Sequence, residues 1–165
     1  MATTKISSTK STSRAINYAE KRAVVKSSHN CDIDFAKSAF KITREVYGKT
    51  GGNQGHVVIQ SFKPGEVTPE QCNQLGLELA ERIAPNHQVA VYTHDDTDHV
   101  HNHIVINSID LETGKKFNNN KKALYDIRNA SDEICKKHNL SVPERNASMR
   151  YTQAEKGLIE KGKSS

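Results

Sequence analysis

The stretch "HDDTDHVHNHIVIN", residues 94–107, carries four of the chain's eight histidines, with three aspartates among them. Neutral imidazole nitrogens are good donors to divalent cations, and carboxylates serve as donors or as partners that orient a ligating ring. The spacing His94-x6-His101-x-His103 makes a site only if the backbone folds it together. Only the residues from Asp95 to Val100 separate two β-prone runs, so an antiparallel hairpin is the economical connection. In that hairpin His94 ends one strand opposite His101, which opens the next. Side chains alternate along a strand, so His101 and His103 share a face while Ile104 and Ile106 point to the other. Three imidazoles then converge on the side left open by helices that cover the isoleucines. His99 has the same parity but sits in the connecting loop, which makes it an extra candidate. Asp96 is a natural outer partner for a ligand ring. The donor set suits Mn²⁺, Mg²⁺, Zn²⁺ or Ni²⁺ without choosing among them. No fourth strong ligand is evident, which excludes a closed structural zinc site. The plainer alternative is a polar hairpin tip whose histidines merely titrate.

These strands need a frame. Thr12 or Ser13 caps a helix predicted to run from Ser13 to Val25, and Asp34 caps another reaching Tyr47. In the second, Phe35, Ala39, Phe40, Val46 and Tyr47 form the apolar side. "HVVIQSF", residues 56–62, reads as a buried strand. Thr68, Pro69 and Gln71 form a capping box with proline at the first helical position. Cys72, Leu75, Leu79 and Ile83 follow at helical spacing. Strands at 88–94 and 101–107 flank the histidine loop, and "SIDLETGKKF" turns at Thr113-Gly114. A helix from Lys121 to His138 points Leu124, Ile127 and Ile134 inward. After Pro143 the chain is polar, with a short helix near 152–161. The order implies an α+β domain: an antiparallel sheet with helices packed on one face and the metal site on the other. Residues 1–145 form the domain, and 146–165 are a polar basic tail or the start of a further region.

The net charge of +5 is unevenly spread. Residues 1–29 hold six Lys and Arg against one acid, residues 30–109 six against ten, and residues 110–165 twelve against eight. Basic ends around an acidic middle favour a polyanion, nucleic acid above all, although solvated lysine faces give the same count. No apolar run approaches the roughly 20 residues that span a bilayer, and the first 15 residues lack the apolar stretch of a secretory signal. The three cysteines form no CxxC pair, which argues against a disulfide framework and fits a reducing cytoplasm. "TGGNQG" lacks the lysine-serine ending of a phosphate loop, and no nucleophile elbow supports Ser/His/Asp chemistry.

The pattern "HxDxxHxHNHIVIN" resembles the metal motif of plasmid mobilisation relaxases, the MobA-type members of the HUH single-strand nickases. "TSRAINYAEKRAVVK", residues 12–26, resembles that family's N-terminal motif, a tyrosine on a helix amid basic residues. "GHVVIQSFKPGEVTPEQ" and "LGLELAERI" resemble the segment between the two. The similarity covers roughly residues 5–140, with three motifs in the family's order. It implies a metal-dependent transesterase that nicks one strand at an origin of transfer and stays joined to the new 5′ phosphate through tyrosine. Under the resemblance Tyr18 is the nucleophile, His94, His101 and His103 hold the metal, and Asp96 supports the ligands or helps to activate the tyrosine. It further implies single-stranded origin DNA, accessory relaxosome proteins and a coupling protein as partners, with no membrane insertion. Family members usually continue into a long C-terminal region.

Tyrosine suits this chemistry. A phenol with a pKa of about 10 is a better leaving group than an alkoxide, so a phosphotyrosine link remains reversible. Five tyrosines compete. Tyr18 is flanked by Arg14, Lys21 and Arg22, which favour both phenolate and approaching phosphate. Tyr92 lies two residues before His94 on the same strand and is its chief rival. Tyr47 closes an apolar stripe, Tyr125 lies on the lysine-rich helix, and Tyr151 lies in the polar tail. His56 reads as a structural histidine, while His29, His87 and His138 sit at loops or helix ends. Lys5, Lys10, Arg14, Lys21 and Arg22, with Lys115, Lys116, Lys121 and Lys122, are the expected phosphate contacts. Two alternatives share these features: a metal-stabilised, non-catalytic DNA-binding module, and a replication initiator in which Tyr125 would attack.

Overall fold

The computed structural model describes residues 2–142. The predicted 152–161 helix, the 146–165 tail and Tyr151 lie outside them. Five strands form one antiparallel sheet in the order β1-β3-β5-β4-β2: β1 (Thr3–Thr9), β2 (Val25–His29), β3 (Gly55–Ser61), β4 (Val89–His94) and β5 (His101–Asn107). The helices are α1 (Thr12–Glu20), α2 (Ala36–Val46), α3 (Pro69–Ile83) and α4 (Lys121–Lys137). No helix among the described residues is long and apolar enough to cross a membrane.

The α+β sheet architecture expected from the sequence is present, but the helices divide between the two faces. Val58, Val91, Ile104 and Ile106 meet Leu75 and Leu79 of α3 and Ile127 and Ile134 of α4 in the main core. A smaller core on the other face joins Ile16 and Ala19 of α1 and Phe40 of α2 to Ala90, Tyr92 and Val105. The cause is visible in β4, where all six positions are buried, so neither face can be left to water. The histidine face is therefore covered over its β4 side and open over β3 and β1.

Local signals explain most boundaries. In α3 the capping box forms as expected: Thr68 Oγ1 accepts from Gln71 N at 3.2 Å, and Gln71 Oε1 accepts from Thr68 N at 2.9 Å. Asn120 caps α4 by accepting from Ala123 N at 2.9 Å. The Thr113-Gly114 turn is present, with Gly114 at φ 72, but its flanks meet only in a single Ile109–Lys116 bridge.

Two helical expectations need correction. The first helix begins one residue early, with Ser11 as its cap, and ends at Glu20. The β-branched Val24 and Val25 leave the helical course, and Val25–His29 instead pairs with β4 as an edge strand. In the second region Phe35 closes a short 3-10 turn, Ile33–Phe35, which breaks the helical phase. As a result α2 turns Ala36, Phe40 and Arg44 inward, while Phe35 and Val46 are 65% and 75% exposed. The buried Arg44 guanidinium donates to Thr12 Oγ1 at 2.8 Å and Asn107 Oδ1 at 3.2 Å, joining α2 to α1 and β5.

The register of β5 is locked from below. Asn102, between the two strand histidines, points to the α3 face and donates to Cys72 O at 2.7 Å and Gln60 Oε1 at 3.0 Å. Thr93 Oγ1 donates to its Oδ1 at 2.6 Å. Gly76 lets α3 sit this close, since a methyl there would collide with the Asn102 amide. Slipping β5 by one residue would expose this network and turn both histidines under.

Candidate active site

The β4–β5 pairing puts His94 directly opposite His101, as the hairpin argument requires. One potential donor atom from each of His94, His101 and His103 lies within 4.8 Å of the others. Ring centroids are 4.3 Å apart for His94–His103, 5.1 Å for His94–His101 and 5.2 Å for His101–His103. This is the group of three potential ligands found among the described residues. His99 lines the same cleft, but its Nδ1 donates to Phe62 O at 3.0 Å and it stands outside the triad.

Hydrogen bonds orient the rings. His94 is fully buried, and its Nε2–H donates to Ala19 O at 2.6 Å, filling a carbonyl at the end of α1 that has no intrahelical partner. Its Nδ1 is buried without a hydrogen-bond partner. His101 Nδ1 donates to His99 O at 2.9 Å, which leaves Nε2 as its lone-pair nitrogen. Burial holds the His94 and His103 pKa values down, His103 to about 4, and the nearby His101 and Arg22 add to the effect. Both rings are thus favoured in the neutral form that can donate to a cation.

Helix α1 brings Tyr18 to this cluster. Its ring meets His103 edge-on, with centroids 5.9 Å apart and an interplanar angle of 66°. The side chain is 61% exposed and so is open to a substrate. Arg22, four residues on, donates Nη2–H to Tyr18 Oη at 3.2 Å, with its guanidinium 5.4 Å from the Tyr18 ring centroid. The same guanidinium pairs through Nη1 with Asp96 Oδ2 at 2.7 Å. Asp96 therefore reaches the tyrosine through arginine, a link between helix and loop that separate inspection of the two motifs misses. The Tyr18–Arg22 spacing was its only sequence signal.

The other tyrosines separate from the site. Tyr92 shares the histidine parity but is fully buried beneath α1 and α2, and burial drives its pKa upward. Tyr47 donates to Leu111 O at 2.6 Å. Tyr125 lies on α4, across the sheet from the histidines.

The basic residues fall into two groups. Arg14 and Tyr18 on α1 and Arg22 in the turn that follows it recur every four residues. Lys21 is exposed nearby, and Lys5 lines the cleft with Thr3, Ile59, Ser61 and the histidines. Lys10, Lys115, Lys116, Lys121 and Lys122 stand toward the opposite end of the sheet. There Thr9 pairs with Gly55, Asn119 donates to Ser8 Oγ, and Lys116 Nζ donates to Gly51 O. Lys122 is also paired with Asp126 at 3.0 Å.

Known proteins share this chain's sequence and fold. Residues 12–140 match the family model described as "Relaxase: MobA/VirD2-like, nuclease domain". Over 165 residues the chain is 82% identical to a Staphylococcus aureus protein named Protein rlx, covering 100% of this chain and 50% of that protein. It is 30% identical over 142 residues to the Group II intron-interrupted relaxase LtrB of Lactococcus lactis, covering 75% of this chain and 25% of that protein. The chain thus spans about half the length of the Protein rlx relatives it matches. A solved chain described under "Molecular Basis of Vancomycin Resistance Transfer in Staphylococcus aureus" shares the fold. Its TM-score is 0.60 at 15% identity, covering 86% of this chain and 96% of that one. On sequence, therefore, the chain belongs to the MobA/VirD2-like relaxase nuclease-domain family.

Proposed function

We propose that this chain is the nicking domain of a plasmid relaxase, in which Tyr18 attacks one strand at an origin of transfer and becomes linked to the 5′ phosphate. The observation that carries this reading is the meeting of Tyr18, from α1, with the three imidazoles of the β4–β5 hairpin in one cleft.

A divalent cation fits the donor set. The buried, unpartnered His94 Nδ1 carries a cost of about 1–3 kcal/mol that a cation would relieve. His94 through Nδ1, His101 through Nε2 and His103 would hold the ion, with Mn²⁺, Mg²⁺, Zn²⁺ and Ni²⁺ all compatible. When bound, the ion supplies Lewis-acid stabilisation of charge on the non-bridging oxygens of the scissile phosphate.

The chain's own groups supply the rest. Tyr18 Oη attacks phosphorus in line. The Tyr18 O–P bond forms as the bond to the 3′ oxygen breaks, and that oxygen leaves as a 3′ hydroxyl after taking a proton from water. The phenolic proton passes to solvent, to which Tyr18 is 61% exposed. One phosphodiester replaces another, so rejoining needs no outside energy source. Arg22 holds the Tyr18 oxygen beside a fixed positive charge, and Asp96 holds Arg22 in place. The α1 stripe and Lys5 grip the strand near the scissile phosphate, while the lysines at the far end of the sheet hold a distal stretch. Relaxosome proteins, a coupling protein and a cytoplasmic setting belong to the same reading.

The test uses overlapping single-stranded oligonucleotides tiled across both strands of the replicon that carries the coding sequence, with each of the four cations. Intact-protein and peptide mass spectrometry should find one oligonucleotide attached at Tyr18. No adduct with any oligonucleotide, or attachment at Tyr92 or Tyr125, would sink the proposal.

A further inference from the structure

The sheet register extends the cleft beyond the histidines. Lys5 pairs with Ile59, Ile59 with His103, and His103 with Tyr92, so four side chains form one row across the histidine face. A second row runs Thr3, Ser61, His101, His94. On the β4 side the first row is roofed, because Tyr92 lies in the core beneath α1 and α2. The charge beyond it, Lys26, is taken up by Glu20 at 3.5 Å and Asp34 at 3.8 Å. On the other side the row is open. Ile59 is half-buried, Lys5 is exposed, and among the described residues Lys5 has no ion-pair partner. Along this row, a strand reaching the histidines therefore continues over β3 and β1, its polar, positively charged side.

Resting on the strand-transfer reading above, we infer that Lys5 and Ile59 form a nucleotide subsite. Ile59 is the apolar floor under the nucleoside next to the scissile phosphate, and Lys5 binds the neighbouring phosphate. The Thr3 and Ser61 hydroxyls face the same nucleotide. Two strand spacings put Lys5 roughly 10 Å from His103 at the backbone. The flexible four-carbon lysine stem brings its charge back toward the site.

The experiment takes the oligonucleotide that forms the Tyr18 adduct and places one neutral methylphosphonate at each successive position around the nick. Single-turnover adduct formation is then measured for the wild type and for Lys5→Met. Neutralising the phosphate adjacent to the scissile one should slow the wild type about fivefold, the scale of one exposed charge contact. Lys5→Met should slow the unmodified strand by the same factor and be insensitive to that single modification. An abasic residue between the two phosphates should cost the wild type more than Ile59→Ala. If the Lys5→Met loss adds to that of every methylphosphonate, or couples only to a distant one, the subsite is wrong while the strand-transfer reading stands. If no oligonucleotide forms an adduct, both fall together.

Discussion

His94 donates its Nε2–H to the carbonyl of Ala19 at 2.6 Å, so the fully buried imidazole is bonded to the residue that follows Tyr18. The candidate ligand set and the candidate nucleophile are therefore one mechanical unit. Moving α1 breaks the bond that fixes the ring, and losing the ring frees the end of α1.

His94→Ala should consequently cost about 1–3 kcal/mol in urea unfolding, because it leaves the Ala19 carbonyl unpaired and opens a cavity. His101→Ala and His103→Ala should cost less, since both rings are only half-buried. All three should lose cation binding in titration calorimetry and lose cleavage, yet His101→Ala and His103→Ala should keep most of the DNA affinity. If either of these two unfolds, and chelators melt the wild type, the cation serves folding rather than catalysis.

Tyr18→Phe removes one oxygen from a side chain that is 61% exposed. Unfolding should shift by no more than about 0.5 kcal/mol. Adduct formation should vanish, as read by mass spectrometry. Adduct at the wild-type rate would remove Tyr18 from the mechanism.

Arg22 should matter to rate more than to fold. Arg22→Ala should slow single-turnover cleavage on the order of 10²-fold, the loss expected of one preorganised charged donor. Arg22→Lys keeps the charge but cannot hold Tyr18 Oη and Asp96 with one fork, so it should recover only part of the rate. Asp96→Asn should resemble Arg22→Lys. Equal rates for Arg22→Ala and wild type would contradict this linkage.

Acid should destabilise the fold through His56 and His87. Both are buried beside Phe117, and burial holds their pKa values below 6.5. The unfolded chain therefore binds more protons just below that pH, so their contribution is present above it and is lost as pH falls. Thermal unfolding should move to lower temperature from pH 7 toward pH 5. His87→Gln should flatten that slope even if it is less stable at pH 7.

Salt should separate the two basic groups. Lys5→Met and Arg14→Ala should each reduce the slope of log affinity against log salt by about 0.7, and should slow cleavage. Replacing Lys121 and Lys122 should affect binding alone, because they stand far from the histidines. Filter-binding assays across a salt series would read this, and a flat profile would contradict both roles.

The convergence of the hairpin imidazoles was legible because local rules govern it: alternation along β5, a short connection, and three imidazoles of one parity. The capping box at Thr68 was legible for the same reason, since every partner lies within one helical turn. Strand β2 was not. "VKSSH" has no pattern of its own, and becomes a strand only because β4 presents an edge to pair with. Nor did the apolar stripe of Phe35 and Val46 predict the inward face of α2. The 3-10 turn reset the helical phase, and the deciding contacts of Arg44 come from Thr12 and Asn107, far along the chain.

The same division runs through the site. Residue types and spacing by themselves determined that His94, His101 and His103 would converge, because the hairpin that gathers them is local. That Tyr18 is exposed and Tyr92 buried was decided only by the tertiary structure. Both lie near the imidazoles, and only packing shows that α1 buries one ring while holding the other at the surface. Arg22 and Asp96 are also joined only by the fold, since a charge pair between a helix end and a distant loop depends on how α1 sits on the sheet.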